Sequence, residues 1–372
     1  MQKDSSTARL AYFNLTFSNA DQSAHSILRK IDQHAKVARE QKLPFDFYWL
    51  PRSAPPENVH YSHLKVLPVG GGNRFSTRFQ QCLKMNEIMK DYHRGILRNP
   101  LFDPVGFLCL KQAGKMILEH HTKEPEELAV IAGKLRYWME KAFGGCWIRK
   151  FRAIIAVTPE ILEYEIKRSG FSGPGDYSPN SIDMDSFAGC VRQVTGDSQK
   201  PFQIIMVSTY FTPWQGLQEI LDQIESTSDL PPFKLHVVGK LTPELEAQCG
   251  KVPQVVLHGT LSPDQIQELY PEMDLGVGSL TLAKKGLAQA TPLKVREYLA
   301  CGLPIVLGYD DPGLPADFPF APNVSDKIEF LKFLEFAGKH RQVPAQKIRE
   351  AARPYIDSKI ITQNFFDFCI NT

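Results

Sequence analysis

The chain has 372 residues, 43% of them hydrophobic and 23% charged, with a formal net charge of +2 and a sequence pI near 8.1. That is long enough for two ordinary soluble domains; it excludes a disordered chain, gives no global field for nucleic acid, and no apolar run approaches the roughly 18 to 20 residues of a membrane-spanning helix. Seven scattered cysteines, odd in number and never in a Cys-x-x-Cys pair, argue for reduced thiols rather than a disulfide framework or a zinc site.

In chain order, MQKDSSTARLAYF lacks the apolar core of a signal peptide, so a cytoplasmic location is expected. Ala8–Phe17 reads as a first strand. A polar turn, SNADQ, leads to a helix over Ser23–Gln41 with apolar positions at Ile27, Ile31, Ala35 and Ala38. Phe45–Leu50 and His63–Leu67 read as strands across a Pro-rich loop. Gly70-Gly71-Gly72 opens a helical region through Tyr92 and is read as a turn or a phosphate loop, although no Gly-Lys-Ser/Thr follows.

Gly95–Pro104 predicts a short strand ending in a loop, and Lys115–Leu128 a strand running into an acidic helix start that carries His120 and His121. A metal cluster of these histidines with Glu119, Glu124 and Glu127 follows no recognised ligand spacing. The helical text from Leu128 to Phe151 is basic and aromatic. It suits either a lipid headgroup layer or an ordinary surface helix that gives Trp138 and Trp147 to the core. Ala153–Phe171 predicts a strand turning at Thr158-Pro159 into a helix, and Thr195–Pro201 a linker.

The second half alternates more regularly. Phe202–Ser208, Phe233–Gly239, Val255–Gly259, Asp274–Leu280 and Leu303–Gly308 are apolar runs separated by helical segments, which implies a parallel, doubly wound sheet. His258 reads as a core or strand-end histidine. Between the last two strands a helix opens after Pro292 and ends at Gly302. A loop feeding a helix N-terminus at the carboxyl end of a parallel strand suits an anion, and Lys284, Lys285, Lys294 and Arg296 add positive charge there. Lys327–His340 and the residues from Val343 onward read as closing helices.

The stretch Lys285–Pro304, KGLAQATPLKVREYLACGLP, resembles the sugar-nucleotide motif of glycosyltransferase family 4, whose pattern is Glu, seven residues, then Glu. The series STYFTPWQG, FKLHVVG, VVLHGTLSPDQIQELY and DLGVGSL extends the resemblance over the second half, and Ser178–Phe187 is similar to the family's Pro-Asn-Gly-Ile-Asp turn with Ser181 for glycine. The resemblance implies an α/β, GT-B fold: two Rossmann-like doubly wound domains facing each other across a cleft. Residues 1–196 would form the acceptor-side domain, 197–340 the nucleotide-sugar domain, and 341–372 a C-terminal helix packing back on the first.

It implies Glu297 at the ribose, Lys284, Lys285 and Lys294 at the phosphates, and backbone contacts at Gly216 and Leu293. His120 or His121 and Gln289 would face the transferred sugar. Gln289 stands where the family has its first Glu; an amide can hydrogen-bond hydroxyls but cannot balance a developing positive centre. The implied activity is a retaining transfer from a nucleotide-sugar to a glycan or lipid-linked acceptor in surface polysaccharide or glycoconjugate synthesis, with no metal or cofactor and with a peripheral contact at the inner membrane face left open. The alternative is a degenerate GT-B protein serving as a nucleotide-binding or scaffolding partner of another glycosyltransferase. A dinucleotide oxidoreductase is disfavoured because neither half opens with Gly-x-Gly-x-x-Gly.

Overall fold

The computed structural model describes residues 8–15, 22–55, 61–131, 134–194 and 200–372. The turn SNADQ up to Asp21, the end of the first expected strand and most of the expected linker 195–201 lie outside them.

Two compact units result, residues 1–179 with 358–372, and residues 180–357. In the first unit, β1 (Leu10–Asn14), β2 (Phe45–Trp49), β3 (Lys65–Val66), β4 (Arg94–Arg98), β5 (Met116–His120), β6 (Ala153–Ala156) and β7 (Gly175–Tyr177) form one parallel sheet in the order β3-β2-β1-β4-β5-β6-β7. Its helices are α1 (Gln22–Glu40), α2 (Arg74–Ile88), α3 (Pro104–Cys109), α4 (Glu124–Ile131), α5 (Lys134–Ile148) and α6 (Pro159–Ser169). The central strands are apolar on both sides, as a sheet covered by helices on both faces requires: Leu10, Ile96, Ile117 and Ile155 face one core, Phe13, Leu97, Leu118 and Ile154 the other.

The second unit holds β8 (Phe202–Tyr210), α7 (Leu217–Ser226), β9 (Phe233–Lys240), α8 (Pro243–Cys249), β10 (Val255–Gly259), α9 (Pro263–Leu269), β11 (Leu275–Val277), α10 (Leu293–Ala300), β12 (Ile305–Val306), α11 (Phe330–His340) and α12 (Ala345–Ile356). Its sheet is parallel in the order β10-β9-β8-β11-β12. Strand order therefore reverses at β8/β11, and ligands of open α/β sheets bind at such a switch point, outside the carboxyl ends of the strands.

The expected division at 196/197 and 340/341 differs from these units. Buried arginines account for the difference. Arg192 donates to the carbonyls of Gly302 (3.0 Å) and Arg341 (3.1 Å), and Arg349 donates to those of Met184 and Phe187, so 180–194 and 341–357 close on the second unit. The chain returns to the first unit as α13 (Ser358–Asn371), where Phe366 and Cys369 join the core of Leu10, Phe45 and Ile96 and the Phe366 ring lies 6.1 Å from that of Phe45.

Several local expectations change. The expected helix over Leu128–Phe151 is two helices, α4 and α5; the single helix after Val343 is α12 and α13, broken at Asp357. Of the two tryptophans offered to the core, Trp147 is buried and Trp138 is 59% exposed. The triple glycine is a turn: Gly70 and Gly71 take positive φ, Arg52 donates to the Gly71 and Gly72 carbonyls, and Asn73 and Ser76 close a capping box on α2 that consumes its first donors. Ser181 takes no positive φ, so serine is unstrained in its turn.

Candidate donor site

The loops leaving the switch-point strands meet at Gln215 and Gly216. Gly216 has φ +80°, and a Cβ there would stand 2.6 Å from Leu280 Cβ, so glycine satisfies both the backbone and the close approach of the second loop. That approach is fixed by backbone bonds: the Leu280 N–H donates to Gln215 O (3.1 Å) and the Thr281 N–H to Trp214 O (3.3 Å). Beyond Gly216 the helix α7 begins, and its N-terminal residue has no side-chain cap. At α10 the N-cap is Pro292, likewise without a side-chain cap, so the first N–H groups of Leu293 and Lys294 are left for an outside acceptor.

Lys294 projects from that first turn and donates to Gln215 Oε1 at 3.0 Å, which also accepts from Ser279 Oγ at 2.9 Å. Burial pulls the Lys294 ammonium down to about 8, because the charged form has lost its water without gaining an anion. Lys285 lies over the Trp214 ring at 5.6 Å, and Lys284 is exposed and bonded to Glu219 of α7. Arg296 behaves otherwise than expected. It is fully buried, holds Asp311 bidentately with one bond of 2.8 Å and donates to Asn180 O at 2.9 Å, so its charge is consumed inside the unit and is not offered to a phosphate.

Glu297, one turn into α10, accepts from the Tyr270 hydroxyl at 2.9 Å while remaining half-buried. Tyr270 meets Tyr298 edge-on at 5.6 Å, and the Tyr298 hydroxyl accepts the Val207 N–H of β8 at 3.0 Å. The carboxylate is thus aimed by a stack of two buried tyrosines. Gln289 pairs as an isolated parallel bridge with Asp310; the Ala290 N–H donates to Asp310 O (3.2 Å) and the Asp310 N–H to Ala288 O (3.0 Å). His258 sits on β10 with its ring 2.9 Å from His236 Nδ1, and His236 in turn reaches Gln203 at 2.8 Å.

The two remaining candidates belong to the first unit. His120 is fully buried, its Nδ1 2.9 Å from Glu124 and 3.7 Å from Glu165, with Arg168 also on Glu165 (2.6 Å) and Glu140 (2.9 Å). Burial and then the Glu124 charge raise the Glu165 carboxyl far above the carboxylate range. Burial would raise Glu124 too, but His120 and Arg168 hold it down. Among the described residues, Glu124 Oε2, Glu165 Oε1 and His120 Nε2 have no hydrogen-bond partner within this buried cluster. It differs from the metal grouping considered on sequence: Glu165 of α6 takes part, Glu119 turns elsewhere, and the Glu127 side chain is outside the described residues.

His121 is partly exposed. Its Nε2 is 2.6 Å from Arg98 and 3.0 Å from Glu119, and burial, then the Arg98 charge, lower it to about 4, so the ring is neutral near pH 7. Burial would raise Glu119, yet His121, Lys30 and Arg98 carry it well below the usual range. Glu119 also bonds the Tyr12 hydroxyl and lines a small open cavity with Lys30, His34, Phe47 and Thr362. Sequence reasoning missed Tyr270, Ser279 and this cavity, since each depends on side chains far apart in the chain. Gln215 was legible only as a non-basic residue before Gly216.

Residues 201–316 match the family model described as glycosyl transferases group 1. A search of curated proteins finds no match. Among solved structures, the chain is similar to a lipopolysaccharide outer core galactosyltransferase, WaaB, in its apo form (15% identity, TM-score 0.63, 98% of this chain and 99% of that one). It is also similar to sucrose-phosphate synthase from Thermosynechococcus elongatus (11%, TM-score 0.66, 97% and 98%) and to Anabaena HepE solved with UDP and glucose (14%, TM-score 0.63, 98% and 100%). The sheet orders, the switch-point loops and these comparisons agree: the chain has the GT-B fold, and residues 201–316 of its second unit match the glycosyl transferases group 1 model.

Proposed function

We propose that the chain is a retaining glycosyltransferase that takes a sugar from a nucleotide donor, UDP-linked by analogy with the ligand of HepE, to a glycan or lipid-linked acceptor of a cell-surface glycoconjugate at the inner membrane face. The observation that carries it is the uncapped N-terminus of α10 with Lys294 in its first turn and Glu297 in its second, at the switch point of a parallel sheet. Glu297 would accept the ribose hydroxyls. The diphosphate would rest on the α10 N–H groups, Lys294 and Lys285, and on the backbone beside Gly216. Charge developing on the leaving diphosphate would be met by preorganised donors, with Lys294 regaining the proton affinity that burial has taken from it. Gln289 would hydrogen-bond the transferred sugar.

Of the two histidines, His121 suits a substrate contact, as a neutral donor and acceptor with an exposed edge, while His120 is committed to its carboxylates. The acceptor would be taken by the first unit, where Lys30, His34 and Glu119 give the cavity polar groups suited to hydroxyls. No metal is part of this reading. Incubating the protein with UDP-sugars and following release of UDP, with the anomeric configuration of the product read by NMR, tests it. Transfer or slow hydrolysis with retention supports it; inversion overturns the retaining assignment, and no turnover of any nucleotide-sugar in the presence of tight nucleotide binding favours the degenerate partner.

A further inference from the structure

At one place the first unit buries more acid than base. Glu124 of α4, Glu140 of α5 and Glu165 of α6 are all buried, and the guanidinium that meets them is that of Arg168: it donates to Glu165 Oε2 (2.6 Å) and Glu140 Oε1 (2.9 Å) and stands 3.8 Å from Glu124 Oε2. The Phe102 N–H donates to the second oxygen of Glu140 at 2.7 Å, which completes that group. Glu124 and Glu165 are left incomplete. Three acids against one permanent cation leave a deficit of positive charge in the interior, and a buried charge is tolerated only when it is balanced.

His120, fully buried at the end of β5, faces the two incomplete acids. Its Nδ1 is 2.9 Å from Glu124 Oε1 and 3.7 Å from Glu165 Oε2, and one donor atom from each of the three residues lies within 4.8 Å of the other two. Metal bonds of about 2.0 to 2.2 Å set tetrahedral ligands roughly 3.3 to 3.6 Å apart, so the group needs only small movements to close on one ion. The imidazole Nδ1 carries at most one proton and can serve only one of the carboxylates. Among the described residues Glu124 Oε2 and Glu165 Oε1 have no hydrogen-bond partner. Asn99 donates to Glu124 Oε1 at 3.1 Å while its own oxygen accepts from Trp147 Nε1 at 3.3 Å, so it fixes the direction of Glu124 without neutralising it.

We infer that His120 Nδ1, Glu124 and Glu165 hold one divalent transition-metal ion, zinc before manganese, as a closed structural site of the first unit, with Arg168 and Asn99 orienting the two acids from outside. One imidazole and two carboxylates without a thiolate suit a first-row metal with nitrogen and oxygen ligands, and one carboxylate binding through both oxygens supplies a fourth bond. The ion displaces the Nδ1 proton, uses the unpartnered oxygens and supplies the missing positive charge; Arg168 keeps Glu165 Oε2 and leaves Oε1 to the metal. The ligands come from a strand and two helices, at 120, 124 and 165, so no sequence spacing announces them. Such an ion ties the end of β5 to α4 and α6 and steadies the backbone that carries His121. It has no part in the donor site and stands whether or not a nucleotide binds there.

The test is elemental analysis of the full chain produced in media supplemented with zinc, manganese or cobalt and dialysed against a chelator. Retention of about one ion per chain is expected, as for a closed site. The cobalt form should show the visible bands of a nitrogen and oxygen site without thiolate charge transfer, and warming with chelator should lower the melting temperature. Glu165→Gln keeps the size of the side chain and its bond to Arg168 and should cut retention roughly ten-fold or more; His120→Gln should abolish the cobalt bands. Circular dichroism and UDP titration check that each variant is folded, and if either is not, the ion count and the cobalt spectrum of the parent still decide. A parent that retains no ion from any medium, cobalt bands with thiolate charge transfer, or retention unchanged in both variants overturns the proposal. So does a metal-free parent whose Glu165→Gln variant melts higher, since that would assign the cluster to a proton shared by the two acids.

Discussion

Glu297 and Lys294 are one turn of helix apart in role but opposite in electrostatics. Glu297 is half-exposed and held by Tyr270, so in the proposed donor site its loss would remove a hydrogen bond to the ribose without emptying the core. Glu297→Gln keeps an acceptor for Tyr270 and should weaken nucleotide binding by roughly ten-fold; Glu297→Ala should weaken it by up to about a hundred-fold, the range of a charged hydrogen bond. Lys294 titrates at about 8 in the free protein. Below that pH it is charged and attracts phosphate; above it the free site loses its cation. Nucleotide affinity should therefore fall as pH rises from 7 towards 9, and Lys294→Met should bind weakly at every pH with that slope removed. Calorimetry across the range reads both. A parent affinity flat from pH 7 to 9 contradicts the role given to Lys294.

The placement of these residues was partly legible. The Lys-x-x-Glu spacing on α10 and the Gly after Gln215 could be read from letters, because a helix start at Pro292 and a strand end at Leu280 are local signals. Arg296 was expected to add positive charge around the anion site; its partner, Asp311, lies on a later loop, and a buried bidentate pair leaves no trace in one-dimensional spacing.

Among elements, the meeting of the two loops at Gly216 is the tightest constraint. Gly216→Ala must place a Cβ on Leu280 at a positive φ, and should cost about 1 to 3 kcal/mol of stability. Thermal unfolding of the variant reads the loss; an unchanged melting temperature would show that the loops are free to part. The buried Arg296–Asp311 pair behaves differently from a surface bridge. Asp311→Ala strands a guanidinium in the interior and should cost about 3 to 5 kcal/mol. Strand and helix positions were the most legible elements, since apolar runs punctuated by Gly and Pro mark a parallel α/β sheet. The orientation of α2 and α5 was not: both expose large apolar side chains, Phe75 and Phe79 on one and Leu135 and Trp138 on the other, and only packing shows which side Glu140 and Arg78 take.

At the scale of the whole molecule, four histidines, two in each unit, are held below their ordinary value chiefly by burial: His34 to about 3, His121 and His236 to about 4, and His258 in the same direction. A histidine that is harder to protonate folded than unfolded favours the native state above the unfolded value of about 6.5, and that stability is lost progressively as pH falls below it. The melting temperature should accordingly drop between about pH 6.5 and pH 4, and His236→Asn should lessen the drop; a melting temperature flat across that window contradicts the burial of these rings. The division into units was the least legible feature of the fold. Arg192, Arg341 and Arg349 carry no local signal of their partners, yet all three bind carbonyls across more than a hundred residues of sequence.

The central claim is that the second unit holds a nucleoside diphosphate at the α10 N-terminus. Calorimetric titration of the full chain with uridine, guanosine and adenosine diphosphates and their sugars, beside Glu297→Ala, tests it directly. Micromolar binding of one base, lost in the variant and weakened above pH 8, is the expected result. Absence of binding by every nucleotide, or tight binding that Glu297→Ala leaves intact, would contradict it.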